Sequence, residues 1–228
     1  MFVLNNKTVL QPGKSWKDDN GLTHPNNWAR AWSTEEKTAR GIKEVTMQSK
    51  PDDKFYWVTG PALDGTWTST ERSLEDVKQV DDDGNAILDA DGNQVIALGL
   101  KSQWLAKTKE TANSLLVSTD WQVIAKAERD RAIDSNVATY RAAVITACTA
   151  IRKSITDITY PETPSDYAAA KAKHPDNRTD AEKKIVSDHD ADLAAVFTSF
   201  KALFDAPVDS DNKPTGNPPM YDWPVMGE

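Results

Sequence analysis

The chain is poor in the residues that build disulfides and metal sites. Its 228 residues include one cysteine, Cys148, and three histidines that are far apart in the sequence. A lone cysteine forms no internal disulfide, which is typical of proteins that fold in a reducing cytoplasm. A zinc site requires closely spaced His or Cys ligands, and no such pair is present. We therefore expect no cofactor and no bound metal.

Long apolar runs and an excess of basic charge are also missing. No run approaches the roughly 20 apolar residues of a membrane span, and MFVLNNKTVL lacks the basic start and apolar core of a signal peptide. The 35 acidic residues outnumber 27 Lys and Arg, which gives a net charge of −8. General DNA binding needs a concentrated basic surface that displaces counterions. We expect no nucleic-acid partner and no membrane span.

Catalytic patterns are equally scarce. The segments GPALDG and LGLKSQ have neither the glycine spacing nor the Lys-Ser/Thr ending of a phosphate-binding loop. Cys148 lies on an apolar helical stripe with no base fixed beside it, which favours a small buried residue over a nucleophile. Asp188 and Asp192 are one helical turn apart, as in some carboxylate metal sites, but a solvated acidic face is the commoner explanation. The chain is predicted not to be an enzyme, with no catalytic or cofactor-binding residues.

Two Asp-Gly-Asn triplets lie eight residues apart in DDDGNAILDADGNQVI, residues 81–96. A helix-loop-helix calcium site needs oxygen ligands at loop positions 1, 3 and 5, glycine at 6 and Glu at 12. With Gly84 at position 6, positions 1 and 12 fall on Gln79 and Ala90, and the second triplet fails in the same way. The triplets instead predict hairpin turns, because Gly and Asn tolerate positive φ. The period of eight predicts a three-stranded meander over about 76–80, 86–88 and 94–98.

Aromatic residues are concentrated near the start of the chain, where five of the eight tryptophans lie within the first 70 residues. There, STEEKTARG predicts a short helix with Ser33 as N-cap, Glu36 closing a capping box and Gly41 ending it. KFYWVTG predicts a strand. Further helices are expected over Lys101–Leu116, over Trp121–Arg129, over SDYAAAKAKH and after the capping box of Thr179 and Glu182.

The most regular apolar periodicity runs from Val137 to Ile158. Apolar residues recur there every three or four positions, so one face of a long helix is buried. Val144, Ile151 and Ile155 lie on that face. We favour an ordinary intramolecular core, and the alternative is the seam of a coiled coil between copies of the chain. Under that alternative these three residues belong to an assembly interface.

The last 22 residues hold five of the twelve prolines and are expected to be extended. Met220, Tyr221, Trp223 and Met226 cluster in this tail, and such side chains are costly to leave in water. They are candidate assembly-interface residues. We expect the tail to dock on the chain's own N-terminal module or, preferentially, on a neighbouring subunit.

These patterns predict an α+β fold that is mainly helical. It comprises a small aromatic-rich N-terminal α+β module with a β-meander, a helical C-terminal half and an extended Pro-rich tail. The expected segments are the module, a hairpin connector, a first helical domain, C-terminal helices and the tail, over residues 1–80, 81–99, 100–160, 161–205 and 206–228.

Two stretches resemble proteins of tailed phages. THPNNWARAWSTEEKTARGIKEV resembles an N-terminal segment of virion and tail-fibre-associated proteins, with Pro-x-x-Trp, a short Glu-rich helix and a Gly-Ile strand. Residues 102–144 resemble the tail assembly chaperone, or tail-fibre assembly, families, which share a Leu-Leu helix end, a Thr-Asp-Trp corner and a later Tyr-Arg. These residues are Leu115, Leu116, Thr119, Asp120, Trp121, Tyr140 and Arg141.

The resemblance implies a structural role for that corner, with Thr119 or Asp120 capping the second helix and the Trp121 ring filling the angle between helices. It further implies a tail-associated virion structural protein, such as a fibre, baseplate or adaptor component. Such a protein is made in the bacterial host cytoplasm, forms a homo-oligomer and binds other phage tail proteins. The alternatives are a tail-fibre assembly chaperone that leaves the particle and, more weakly, a cell-wall hydrolase. The chain departs from the short chaperones in the long segment after Ile158.

Overall fold

The computed structural model describes residues 1–226 and divides the chain into two compact units, Met1–Arg72 and Ser73–Glu228. The division lies eight residues before the predicted boundary at residue 80. The hairpin connector therefore belongs to the same unit as the helices and the tail. Short antiparallel strands precede a helical second half, and this confirms the predicted α+β, mainly helical fold class.

The first unit is built from short strands and two short helices. The strands are β1 (Phe2–Leu4), β2 (Thr8–Leu10), β3 (Trp16–Lys17), β4 (Thr23–His24), β5 (Ile42–Glu44), β6 (Tyr56–Thr59) and β7 (Thr68–Glu71). The helices are α1 (Trp28–Ala31) and α2 (Thr34–Ala39). An antiparallel sheet has the order β2-β1-β5, and β3–β4 and β6–β7 form separate antiparallel pairs.

An aromatic cluster forms the core of this first unit. Trp28 is completely buried among Leu4, Leu10 and Ile42. Its indole Nε1 donates to the Lys14 carbonyl at 3.0 Å, so its single polar group is satisfied despite the burial. The Phe2 ring meets the Trp28 ring edge-on, with centroids 5.1 Å apart. The early tryptophans thus mark a real module with its own core.

The predicted helix at Ser33 is confirmed with its caps. The Ser33 hydroxyl accepts from the Glu36 amide, and the Glu36 carboxylate accepts from the Ser33 amide. Gly41 follows the helix with a φ of +73°, a conformation that side chains disfavour. Local side-chain chemistry therefore determines both ends of α2.

The second unit begins with a small β-element and continues as helices. Its elements are β8 (Val77–Lys78), β9 (Ile96–Ala97), α3 (Leu100–Val117), α4 (Asp120–Arg129), α5 (Ser135–Thr156), α6 (Tyr167–Ala172) and α7 (Asp180–Ala202). Single 3₁₀ turns lie at Pro175–Asn177 and Pro219–Tyr221. The long helices agree with the predicted ones to within about two residues at most ends, and the capping box at Thr179 is present. Among the described residues, no helix is both long enough and apolar enough to cross a membrane.

Helices α3 and α5 pack against each other around Ala112, Tyr140 and Val144. Helix α6 is held on α7 by polar contacts. The Tyr167 hydroxyl donates to the Asp190 carboxylate at 2.6 Å, and the Lys171 ammonium bonds the same carboxylate. The bond to Asp190 raises the pKa of Tyr167, because it favours the protonated phenol. The bonds from Lys171 and Tyr167 lower the pKa of Asp190, because both favour the ionised carboxylate.

Candidate interaction site

One loop design occurs four times in the chain, at residues 18–22, 81–85, 89–93 and 209–213. In each loop, the carboxylate of the first Asp accepts the backbone amides of the third and fifth residues at 2.8–3.0 Å. The fourth residue has a positive φ between 59° and 84°, and its amide donates to the carbonyl of the first Asp. We call these segments the Asp loops.

The Asp loops answer the question raised by the two Asp-Gly-Asn triplets. The carboxylates of Asp81 and Asp89 bond their own backbone, with the amides of Asn85 and Asn93 as the strongest partners, and this lowers the pKa of both. Hairpin turns are therefore confirmed at both triplets. The sequence pattern of an Asp followed three residues later by Gly or Asn also marks the loops at 18–22 and 209–213, which were not predicted.

The predicted meander closes into a ring. The Gln79 amide donates to the Val95 carbonyl at 2.9 Å, the Ile87 amide to the Gln79 carbonyl at 3.1 Å, and the Val95 amide to the Ile87 carbonyl at 2.8 Å. Each of the three segments therefore pairs with both others, whereas in an open meander the first and third do not pair. We call residues 77–98 the β-triangle. Its three ring residues are eight positions apart, the period seen in the sequence.

The β-triangle leaves apolar side chains on its surface. Val80, Leu88 and Ile96 each follow a ring residue, so they occupy equivalent positions in the three segments. They are 53%, 57% and 48% exposed. We call them the apolar trio. Three more aliphatic side chains of the β-triangle are also largely exposed: Val77, Ile87 and Leu98.

The surroundings of this apolar surface are acidic. Residues 76–98 contain six aspartates and one lysine, Lys78, which gives a net charge of −5. Asp76 is partly engaged, because its carboxylate accepts the Gly99 amide at 2.8 Å and joins the β-triangle to the start of α3. The exposed apolar side chains of the β-triangle therefore lie in a strongly acidic segment of the chain.

The corner residues named by the resemblance meet around Arg141. Its Nη1 donates to the Leu116 carbonyl at 3.0 Å, to the Thr119 hydroxyl at 2.7 Å and to the Asp120 carboxylate at 2.8 Å. Tyr140, nearly buried, places its hydroxyl 3.4 Å from the Leu115 carbonyl. These bonds tie α5 to the junction of α3 and α4.

Two details of the corner differ from the expectation. Neither side chain caps α4: the Thr119 hydroxyl donates to the Leu116 carbonyl, and the Asp120 carboxylate pairs with Arg141. Trp121 does not fill the angle between helices. Its side chain is 51% exposed, and the Arg131 guanidinium lies 5.5 Å from the ring centroid.

A polar clamp that was not predicted completes this region. The Gln122 amide group donates to the Asp134 carboxylate at 2.9 Å, and the Asp134 backbone amide donates back to the Gln122 side-chain oxygen at 2.9 Å. Gln122 is 8% exposed, so the pair joins α4 to the start of α5 with its polar groups satisfied. A single glutamine in a polar helix carries no pattern that distinguishes it before folding.

The apolar stripe of α5 is buried inside its own chain. Val144, Ile151 and Ile155 are 0%, 4% and 0% exposed. The favoured intramolecular core is therefore what the structure contains. The assignment of these three residues to an assembly interface is wrong, because covered side chains cannot meet another molecule.

The tail is docked on the helices of its own unit. Met220 is buried, and its amide donates to the Leu203 carbonyl at 3.0 Å. Trp223 is half-buried against the cluster of Ala112, Tyr140 and Val144. Met220 and Trp223 therefore contact their own unit, which corrects the prediction that a neighbouring subunit covers these two side chains.

The remaining tail residues are more open. Tyr221 is 42% exposed and its ring lies near those of Trp104 and Phe204, and Met226 is 44% exposed. The tail is also less extended than predicted, because it contains the fourth Asp loop and a 3₁₀ turn. Secondary structure within the tail brings its aromatic end back onto the helices.

Within residues 1–226, no group of three or more His, Cys, Asp or Glu side chains is arranged to hold a metal ion. Cys148 is half-buried beside the helical core cluster. No protein-family model matches the chain, and neither curated proteins nor solved structures include a significant match.

Proposed function

We propose that the chain is a non-enzymatic structural component of a tailed phage particle, associated with the tail and acting by packing against other tail proteins. The observation that carries the proposal is the β-triangle, whose apolar trio remains about half exposed. Exposed apolar groups that lie together with a polar border are typical of surfaces that bind another protein. The resemblance of residues 23–45 and 102–144 to phage tail proteins supplies the setting.

The construction of the β-triangle supports a surface that a partner completes. Its side chains are exposed except for Gln79, Gln94 and Val95, which are half-buried, so it has almost no core. Small β-elements gain independent stability by packing an apolar face against another layer. The β-triangle holds its shape through its backbone ring and Asp loops, and its apolar trio is left without a covering layer in the described structure.

The hydrogen bonds of the helical corner also support the proposal. Leu116, Thr119, Asp120 and Arg141 were singled out by the resemblance, and all four take part in one set of hydrogen bonds. The corner orders the helices that follow the β-triangle, and its polar groups are used within the chain. Its role in the proposal is to support the interaction surface.

Mass spectrometry of purified particles tests the proposal. Peptides of this chain should be present in a fixed ratio to the other tail proteins, and the ratio should survive washing in high salt. If the chain is abundant in infected cells but missing from mature particles, the structural role is overturned and an assembly chaperone takes its place. Release of cell-wall fragments by the purified chain would favour the hydrolase instead.

A further inference from the structure

We infer that the β-triangle docks on another protein whose matching surface is apolar at its centre and bordered by Lys and Arg. This inference rests on the proposed function and names the chemistry of the partner. It combines two separate properties of the same 22 residues, their exposed aliphatic side chains and their unbalanced charge.

The first property is the repeated placement of the apolar trio. Because Val80, Leu88 and Ile96 follow equivalent ring residues, one hydrogen-bonded backbone ring positions all three. A surface that is already ordered loses little conformational freedom when it binds. Apolar contact at the trio is expected to supply the affinity.

The second property is that some of the aspartate carboxylates are not used within the chain. The carboxylates of Asp81 and Asp89 are engaged by their own loops. Asp82, Asp83 and Asp91 are exposed, and their carboxylates accept no hydrogen bond from the part of the chain that is described. These three negative charges therefore remain available to a partner.

The negative charge of the β-triangle disfavours some binding partners and favours others. A second β-triangle would bring one net charge of −4 against another, and opposed like charges disfavour that contact. A border of Lys and Arg on the partner would pair with Asp82, Asp83 and Asp91, accelerate association and exclude acidic surfaces. The homo-oligomer expected from the resemblance would have to use a different surface.

Photo-crosslinking with the full chain tests the inference. Benzoylphenylalanine replaces Leu88 in one sample and Val117, an exposed aliphatic residue of α3, in a control sample. Both are irradiated in host cells that are assembling particles, and the crosslinked peptides are sequenced. Crosslinks specific to Leu88 should reach one other protein, at an apolar peptide with Lys or Arg nearby. A crosslink to a second copy, to residues 1–72 of the same chain or to a peptide without basic neighbours would overturn the inference.

A charge variant provides the second arm. The triple substitution D82N/D83N/D91N removes three charges and keeps the Asp81 and Asp89 bonds that shape the loops. It should lower the Leu88 crosslink yield on the order of tenfold. The matched control removes three exposed acidic charges elsewhere in the same unit: E110Q/E128Q/D192N. Equal yields from the two variants would refute the electrostatic part of the inference.

The two proposals fail in different ways. If the chain is in purified particles but Leu88 gives no specific crosslink, the proposed function stands and the docking surface is overturned. If the predicted crosslink forms but the chain is missing from particles, the docking surface stands and the structural role is overturned. Retained circular dichroism of each variant confirms that the fold is unchanged.

Discussion

Arg141 provides a sharp test of how the helical corner is held. Its side chain is 18% exposed and one nitrogen serves three acceptors, two of which belong to Leu116 and Thr119. Hydrogen bonds that involve a charged group contribute about 1.5–3 kcal/mol each in net terms. The ion pair with Asp120 adds less, about 1 kcal/mol at most, because that carboxylate is 49% exposed.

We expect Arg141→Ala to lower the free energy of unfolding by about 3 kcal/mol, since the acceptors share one donor and their contributions do not add fully. For a chain of this size, that loss corresponds to a fall in Tm of roughly 6–12 °C. The helical circular dichroism signal reports mainly on the second unit, where the long helices lie. Thermal and urea unfolding followed by that signal measure the change.

Two variants control this prediction. Arg152→Ala removes an exposed arginine from the same helix and should change the free energy of unfolding by no more than about 0.5 kcal/mol. Asp120→Asn removes only the ion pair and should cost about 1 kcal/mol or less. The reasoning is refuted if Arg141→Ala matches Arg152→Ala, or if Asp120→Asn is as damaging as Arg141→Ala.

Three further predictions concern the core, an Asp loop and a pH effect. Ile151→Ala should lower the free energy of unfolding in urea by about 2–5 kcal/mol. Ile145 lies on the same helix but is 55% exposed, so Ile145→Ala should lower it far less. Gly92 has a φ of +83°, and a Cβ added there would meet no atom within 4 Å, so Gly92→Val should destabilise the β-triangle through its backbone conformation. Gly92→Asn should be milder, because Asn tolerates that conformation, and amide hydrogen exchange of the β-triangle distinguishes the two. The Lys173 ammonium, with a smaller contribution from the Thr179 cap, lowers the pKa of Glu182 from 4.5 to about 2, so the stabilisation is present above pH 4.5 and is lost as the pH falls toward 2. Lys173→Met should raise the titration midpoint of Glu182 measured by NMR, and an unchanged midpoint would contradict that cause.

Local chemistry made several elements predictable from the sequence. The capping boxes at Ser33 and Thr179 and the turns that begin at Asp81 and Asp89 each involve groups within four residues of one another. Such bonds form with little loop-closure entropy and depend only on nearby residues. The apolar stripe of α5 was predictable for a related reason, since helical periodicity places its residues on one face whatever covers them.

Local sequence is enough to place the starts of the helices, the turns and the buried face of α5. The folded structure settles what covers that face, the closure of the β-triangle into a ring and the return of Met220 to its own helices. It also decided that Trp121 stays exposed while Gln122 is buried. The reason is that a pattern of apolar residues specifies burial but not the partner. The choice of partner depends on packing between residues far apart in the chain, where shape, loop closure and the satisfaction of every buried polar group must agree at once.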